Sequence, residues 1–230
     1  MTQLRENIRL LGDLLGQIIV EQAGQEVFEL EERIRALSKA WRAGDESVNR
    51  EIGKIIQEVA DDLPLTSDIL KAFSTYFQLV NLAEEHERIR ILHDRAEQAF
   101  ADQVSMRETI PAAIEVLKRE SFDADQVEAM LENMLIMPVF TAHPTESRRR
   151  TTRQILEHLS EFLSELRSGG TYQYQHPNII EKLRDAITLL WQSDESRKRK
   201  PTVLDEVRNT GRYFFENTLF DVYSADLRTT

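Results

Sequence analysis

Cysteine is absent from the 230 residues, which excludes a disulfide framework and thiolate metal sites and agrees with a cytoplasmic setting. Glycine and proline are scarce, 8 and 6 residues, and most of them fall where helical patterns stop or start. No run approaches the roughly 18 apolar residues of a membrane span. Met1 to Asn7 carries Arg5 and Glu6 and leads into an amphipathic pattern rather than the apolar core of a signal peptide. The expectation is a soluble, cytoplasmic chain with no membrane partner.

Positive charge is also in deficit. Lys and Arg number 29 against 40 Asp and Glu, a net charge of -11 that opposes nonspecific binding to nucleic acid or anionic membranes. Local basic clusters can still hold an anionic substrate. Hydrophobic residues make up 41% and charged residues 30%, enough apolar material for a sizeable core in one large domain or two small ones.

Most of that apolar material recurs at helical spacing. Leu4, Ile8, Leu11, Leu15, Ile18 and Ile19 predict a helix over 4–22, punctuated by Gly24. Val27, Leu30, Ile34, Leu37 and Trp41 line a second helix that runs out at Ala43-Gly44-Asp45, and Val48 to Val59 forms a third before Pro64. Residues 65 to about 100 read as one long helix, with Ile69, Phe73, Phe77, Val80, Ile89, Leu92 and Ala96 as its apolar positions. Two short helices follow. One holds Ile110, Ile114 and Leu117, with Pro111 tolerable only in the first turn. The other holds Val127, Met130, Leu131 and Met134, with Asp123 as N-cap and Gln126 three residues on.

On the long helix, His86 and His93 lie seven residues apart among Glu84, Glu85, Glu87 and Asp94. Ligands on one helical face are expected three or four residues apart, so these read as solvated surface residues and not as a metal site. No metal ligand set is assigned within the chain.

Leu135 to Ala142 is the only stretch that reads as a strand, with Pro138 keeping it short or at an edge. It runs into His143-Pro144-Thr145 and then Arg148-Arg149-Arg150. Alternation places Val139, Thr141 and His143 on one face, and Pro144 suits the first position of a helix, so His143 sits at a strand-to-helix junction. Ile155, Leu156, Leu159, Phe162, Leu163 and Leu166 continue as a helix to Ser168-Gly169-Gly170, with Thr152 in line with its apolar stripe. Thr171 to Pro177 reads as a loop, and Ile179 to Trp191 as another helix that breaks at Ser193. A basic loop, Arg197-Lys198-Arg199-Lys200, leads to a final helix capped by Thr202 with Asp205 three residues on. By the residues alone, the basic loop is solvated or binds an anion, His143 is structural or catalytic, and the arginines form ion pairs or hold a ligand.

Thr141-Ala142-His143-Pro144-Thr145 with Arg149-Arg150 resembles the first signature of the bacterial and plant type phosphoenolpyruvate carboxylases. Trp191-x-x-Asp194-Glu195-x-Arg197-Lys198-x-Lys200-Pro201 looks like the segment that follows it in that family. So does the opening, Leu10-Leu11-Gly12-x-x-Leu15-Gly16, then Gly24, then Ile34-Arg35-x-Leu37-x-Lys39 with Arg42-Ala43-Gly44. Arg148 departs from the family, which more often carries a smaller or uncharged residue there.

The resemblance implies the N-terminal portion of an enzyme that joins phosphoenolpyruvate to bicarbonate, giving oxaloacetate and phosphate. His143 would be the catalytic base, and Arg149 and Arg150 substrate contacts. The fold would be predominantly α-helical with one short strand, the first of a (β/α)8-type barrel wrapped in many helices. A helical region, 1–134, would precede the start of the barrel, 135–230. The family expectation adds Mg2+ as cofactor, with ligands outside this chain, and a homotetramer under allosteric control in the full-length protein. The other motifs of the family's active site would lie beyond residue 230, so the chain alone should be inactive. The alternative is a non-catalytic helical assembly or regulatory module derived from the same family.

Overall fold

A computed structural model of the chain describes residues 2–135, 150–168, 176–193 and 202–214. Nine α-helices and one 3₁₀ turn make up the regular structure of the described residues: α1 Thr2–Ala23, α2 Gln25–Arg42, the turn Glu46–Val48, α3 Asn49–Ala60, α4 Leu63–Ala101, α5 Ile110–Arg119, α6 Ala124–Glu132, α7 Arg150–Ser168, α8 His176–Gln192 and α9 Val203–Phe214.

Local chemistry accounts for the helix ends. Gly24 adopts φ 100°, a value side chains rarely tolerate, and its N–H closes α1 onto the carbonyls of Ile19 and Val20. Gly44, at φ 95°, ends α2 in the same left-handed region. Pro111 falls in the first turn of α5, where Thr109 accepts from the Ala112 N–H. Asp123 and Gln126 form a reciprocal capping box on α6, and Thr202 and Asp205 do the same for α9. The caps of α6 and α9 and the place of Pro111 agree with the sequence reading, and the Thr109 cap adds to it.

The chain folds as two compact units, 1–88 with 150–195, and 89–149 with 196–230. The first unit holds the hydrophobic core. Leu11, Leu14, Leu15, Ile18 and Ile19 of α1 meet Leu79, Leu82 and Ala83 of α4, Leu159 and Leu163 of α7, and Leu183, Ile187 and Trp191 of α8. Polar contacts tie its rim. Arg184 on α8 grips both carboxylate oxygens of Glu21 at 2.5 and 2.6 Å, and Lys182 on α8 lies 3.6 Å from Glu165 on α7. Both pairs are solvent-accessible, so they set alignment more than they add stability.

In the second unit no described residue is buried. Its described helices, α5, α6, α9 and the last turns of α4, keep their apolar faces open: Phe100, Ile110, Leu131 and Val203 are all exposed. The sequence division at 134/135 falls beside the last described residue of that stretch, Leu135, and stands as an expectation.

Four expectations require correction. The fold is helical, but no strand occurs among the described residues. Leu135, the one described residue of the expected strand 135–142, lies outside any regular element and is exposed, and residues 136–142 fall outside the described residues. A strand needs a neighbour to take its backbone hydrogen bonds, whereas each helix satisfies its own. With no partner strand described, the strand and the barrel start are withdrawn from the fold class.

The buried stripe of α4 differs from the one read from its large side chains. Ile69, Ala72, Thr75, Leu79, Leu82, Ala83 and His86 face inward, while Phe77, Ile89 and Leu92 are exposed. Small residues take the inward positions where helices approach closely, and a pattern built on large apolar residues misses them. Trp41 is likewise exposed at the end of α2. Finally, His176 and Pro177 begin α8 where a loop was expected, because proline is accepted in a helix's first turn.

Candidate functional site

Of the stretch singled out by sequence, only Arg150 is described, as the first residue of α7. His143, Arg148 and Arg149 lie outside the described residues, as does the basic loop 197–200. What the structure shows is the scaffold that follows them. In α7, Thr152, Ile155, Leu159 and Leu163 are buried at spacings of three and four, so the helix is locked in rotation by its apolar stripe. Thr152 faces inward as its register predicted.

His86, read from sequence as a surface residue, is buried, and so is the adjacent Glu87. The His86 Nε2 lies 3.1 Å from the Ser164 hydroxyl of α7. Ser164 in turn donates to the carbonyl of Ser160 at 3.0 Å. A hydroxyl has one proton, so with that proton on Ser160 the oxygen accepts from the imidazole, which places the ring proton on Nε2. A serine and histidine within reach have the composition of a nucleophile and its base, but here the proton runs from ring to hydroxyl, the reverse of activation. The pair joins α4 to α7. His93, by contrast, is exposed and sits 3.3 Å from Glu97. The two histidines therefore do not share a site, and no group of three or more His, Asp or Glu that could hold a metal occurs among the described residues.

The structure also assembles residues that sequence reasoning left apart. Gly12 and Gly16 on α1 open a groove of about 730 Å³ lined further by Phe28, Glu31, Arg35 and Tyr76. A Cβ at Gly16 would stand 2.8 Å from the Phe28 ring, so glycine is needed for α2 to approach α1. Arg35 pairs with Glu32 and lies with its guanidinium carbon 5.5 Å from the centre of the Tyr76 ring. The Glu32 bond, with a smaller contribution from Tyr76, holds the arginine charge on more firmly than usual. Glu31 is buried beside them. Burial raises its carboxyl from 4.5 to about 7, Arg35 opposes the rise, and Glu32 adds to it. A buried glutamate inside an amphipathic pattern is indistinguishable by sequence from the exposed ones around it. The Leu-Gly and Ile-Arg motifs flanking it were the only available signal.

Comparison with known proteins assigns the chain. The family description "Phosphoenolpyruvate carboxylase" matches residues 4–227. A phosphoenolpyruvate carboxylase of Roseiflexus castenholzii is 40% identical over 222 residues, covering 96% of this chain and 23% of that protein. One from Rhodothermus marinus is 37% identical, covering 95% and 23%, and one from Thermus thermophilus 36% identical, covering 95% and 24%. The chain thus spans about a quarter of the length of these relatives. A match that runs through α1 to α9 and takes in the His143 stretch leaves one conclusion: the chain belongs to the phosphoenolpyruvate carboxylase family.

Proposed function

We propose that this chain supplies the N-terminal part of a phosphoenolpyruvate carboxylase, with His143 as its base and the rest of the active site on further polypeptide. The observation that carries the reading is the family match over 4–227, which includes Thr141-Ala142-His143-Pro144-Thr145 and Arg149-Arg150.

In the reaction, a bicarbonate oxygen attacks the phosphoryl group of phosphoenolpyruvate, breaking its bond to the enol oxygen and giving carboxyphosphate and an enolate. His143 accepts the proton of the carboxyphosphate carboxyl. The electrons left behind form carbon dioxide as the bond to phosphate breaks, and the enolate carbon adds to that carbon dioxide to give oxaloacetate. An imidazole suits this task because its unperturbed pKa of about 6.5 lets it exchange a proton near neutral pH. Arg149 and Arg150 are suited to the anionic substrate because guanidinium groups bind phosphate and carboxylate in forked pairs. Thr141 and Thr145 orient the turn.

A bound Mg2+ would supply stabilisation of the negative charge that develops on phosphoryl and enolate oxygens, and it would call for carboxylate ligands. The described residues do not fit that group, since no cluster of three carboxylates or histidines that could hold it occurs among them. No step is assigned to it. The homotetramer, the allosteric control and the cytoplasmic location belong to the same proposal. No helix among the described residues is long and apolar enough to cross a membrane.

The test is a chimera in which residues 1–230 replace the matched quarter of the Roseiflexus castenholzii relative. Formation of oxaloacetate from phosphoenolpyruvate and bicarbonate is expected from the chimera and not from the isolated chain. A folded but inactive chimera would favour the non-catalytic module.

A further inference from the structure

The helices α5 and α6 carry complete local instructions, yet neither has a fully buried residue. Thr109 caps α5 and Lys118 and Arg119 occupy its last turn, while α6 opens on a capping box. Yet they are 10 and 9 residues long, below the roughly 12–15 at which isolated helices hold in water, so packing must supply the rest of their stability. Their apolar residues repeat at helical spacing, and apart from the half-buried Leu117 and Val127 the large ones are exposed. Ile110 is 55% exposed and Ile114 44% on α5, Phe122 is 45% in the connection, Leu131 is 52% at the end of α6 and Met134 53% just beyond it. No described residue of this unit is buried.

Scattered exposed leucines are ordinary, but a run of them on two consecutive capped helices marks a surface meant to be covered. What covers it follows from the length of the family: about three quarters of each relative lies outside the matched region. The charge of the arm is divided between its helices, with Lys118 and Arg119 ending α5 while α6 is acidic throughout. Asp125, Glu128 and Glu132 are the only charged residues of α6.

We propose that the α5–α6 arm is a docking surface for the remaining part of a family-length carboxylase polypeptide, which meets it with an apolar helical face edged by basic residues. This inference rests on the reading of the chain as part of such an enzyme. In the isolated chain the two helices fray, and in the complete protein they are held. Apolar contact provides most of the affinity and the acidic edge of α6 selects orientation.

Backbone hydrogen exchange over residues 110–134 tests it, compared between the isolated chain and the chimera. Exchange at least tenfold slower in the chimera is expected, together with a loss of that protection in the Ile114→Glu/Leu131→Glu variant. The same substitutions should leave the isolated chain's melting temperature unchanged, because both side chains are exposed there, whereas Arg50→Gln in α3 should change neither protein. The exchange is also read on the two parts produced separately and mixed in equal amounts, so that a fusion that fails to fold does not decide the outcome. A chimera that makes oxaloacetate while 110–134 exchanges as fast as in the isolated chain would overturn the docking surface and leave the enzyme reading intact. Protection in an inactive chimera would do the opposite. Protection that grows with the concentration of the isolated chain would name a second copy as the occupant and overturn the proposal.

Discussion

His86 on α4 gives its Nε2 proton to Ser164 on α7, 78 residues away in sequence and 3.1 Å away in space. The bond runs from a buried imidazole to an exposed serine at the edge of the core, and it orders a ring that an all-apolar interface would not need. Ser164→Ala removes this acceptor. The expected loss is about 1–2 kcal/mol of unfolding free energy, read from urea denaturation, with helicity by circular dichroism unchanged. No loss of stability would mean that the bond is replaced by water at no cost.

Gly16 and Phe28 make the second prediction. Gly16→Ala places a methyl 2.8 Å from the Phe28 Cε2, and the aromatic ring must move. Overpacking of this kind costs about 1–3 kcal/mol. Adding Phe28→Leu should recover much of the loss, and the double-mutant cycle should show coupling of about 1 kcal/mol between the two positions. Gly12→Ala, where the nearest atom is Tyr76 Cε2 at 3.9 Å, should be tolerated.

Glu31 makes stability depend on pH. Its carboxyl rises from 4.5 to about 7 on folding, so between those values the folded chain holds a proton that the unfolded chain releases. Stability is therefore highest below 4.5 as far as this group is concerned, falls as pH rises, and has lost the full contribution above about 7. The total is on the order of 1–3 kcal/mol. Glu31→Gln should flatten the profile between pH 5 and 8 and stabilise the chain at pH 8, measured by urea titration at each pH. A variant profile parallel to that of the parent would show that another group titrates.

His143 and the arginine pair make the functional prediction, in the chimera. Because the proposed base acts after the phosphoryl group has left phosphoenolpyruvate, His143→Asn should cut oxaloacetate formation at least ~100-fold while phosphate release falls less. Arg149→Gln and Arg150→Gln should each raise KM for phosphoenolpyruvate more than they lower kcat. Equal loss of phosphate and oxaloacetate in His143→Asn would place the histidine before the phosphoryl transfer.

Much of this protein is legible in the residues because helices are local. A period of 3.6 in the apolar residues, Asp123 and Thr202 as caps, and Gly24 and Gly44 as stops mark out the nine helices of the described residues, since each bond and cap lies within a few residues of its partner. The family was legible for a different reason, a run of unusual residues around His143 at a characteristic distance from Trp191. What the residues could not decide is which side of each helix another helix would cover. Tertiary packing buried Ala72, Thr75 and His86 on α4 and left Phe77 in water, because fit to α1, α7 and α8 outweighs the hydrophobicity of a single side chain. It buried Glu31 among glutamates that look the same in sequence, and that burial, not its identity, moves its proton equilibrium. Burial and cross-helix distance are properties of the whole packed unit, and they appear only when the helices meet.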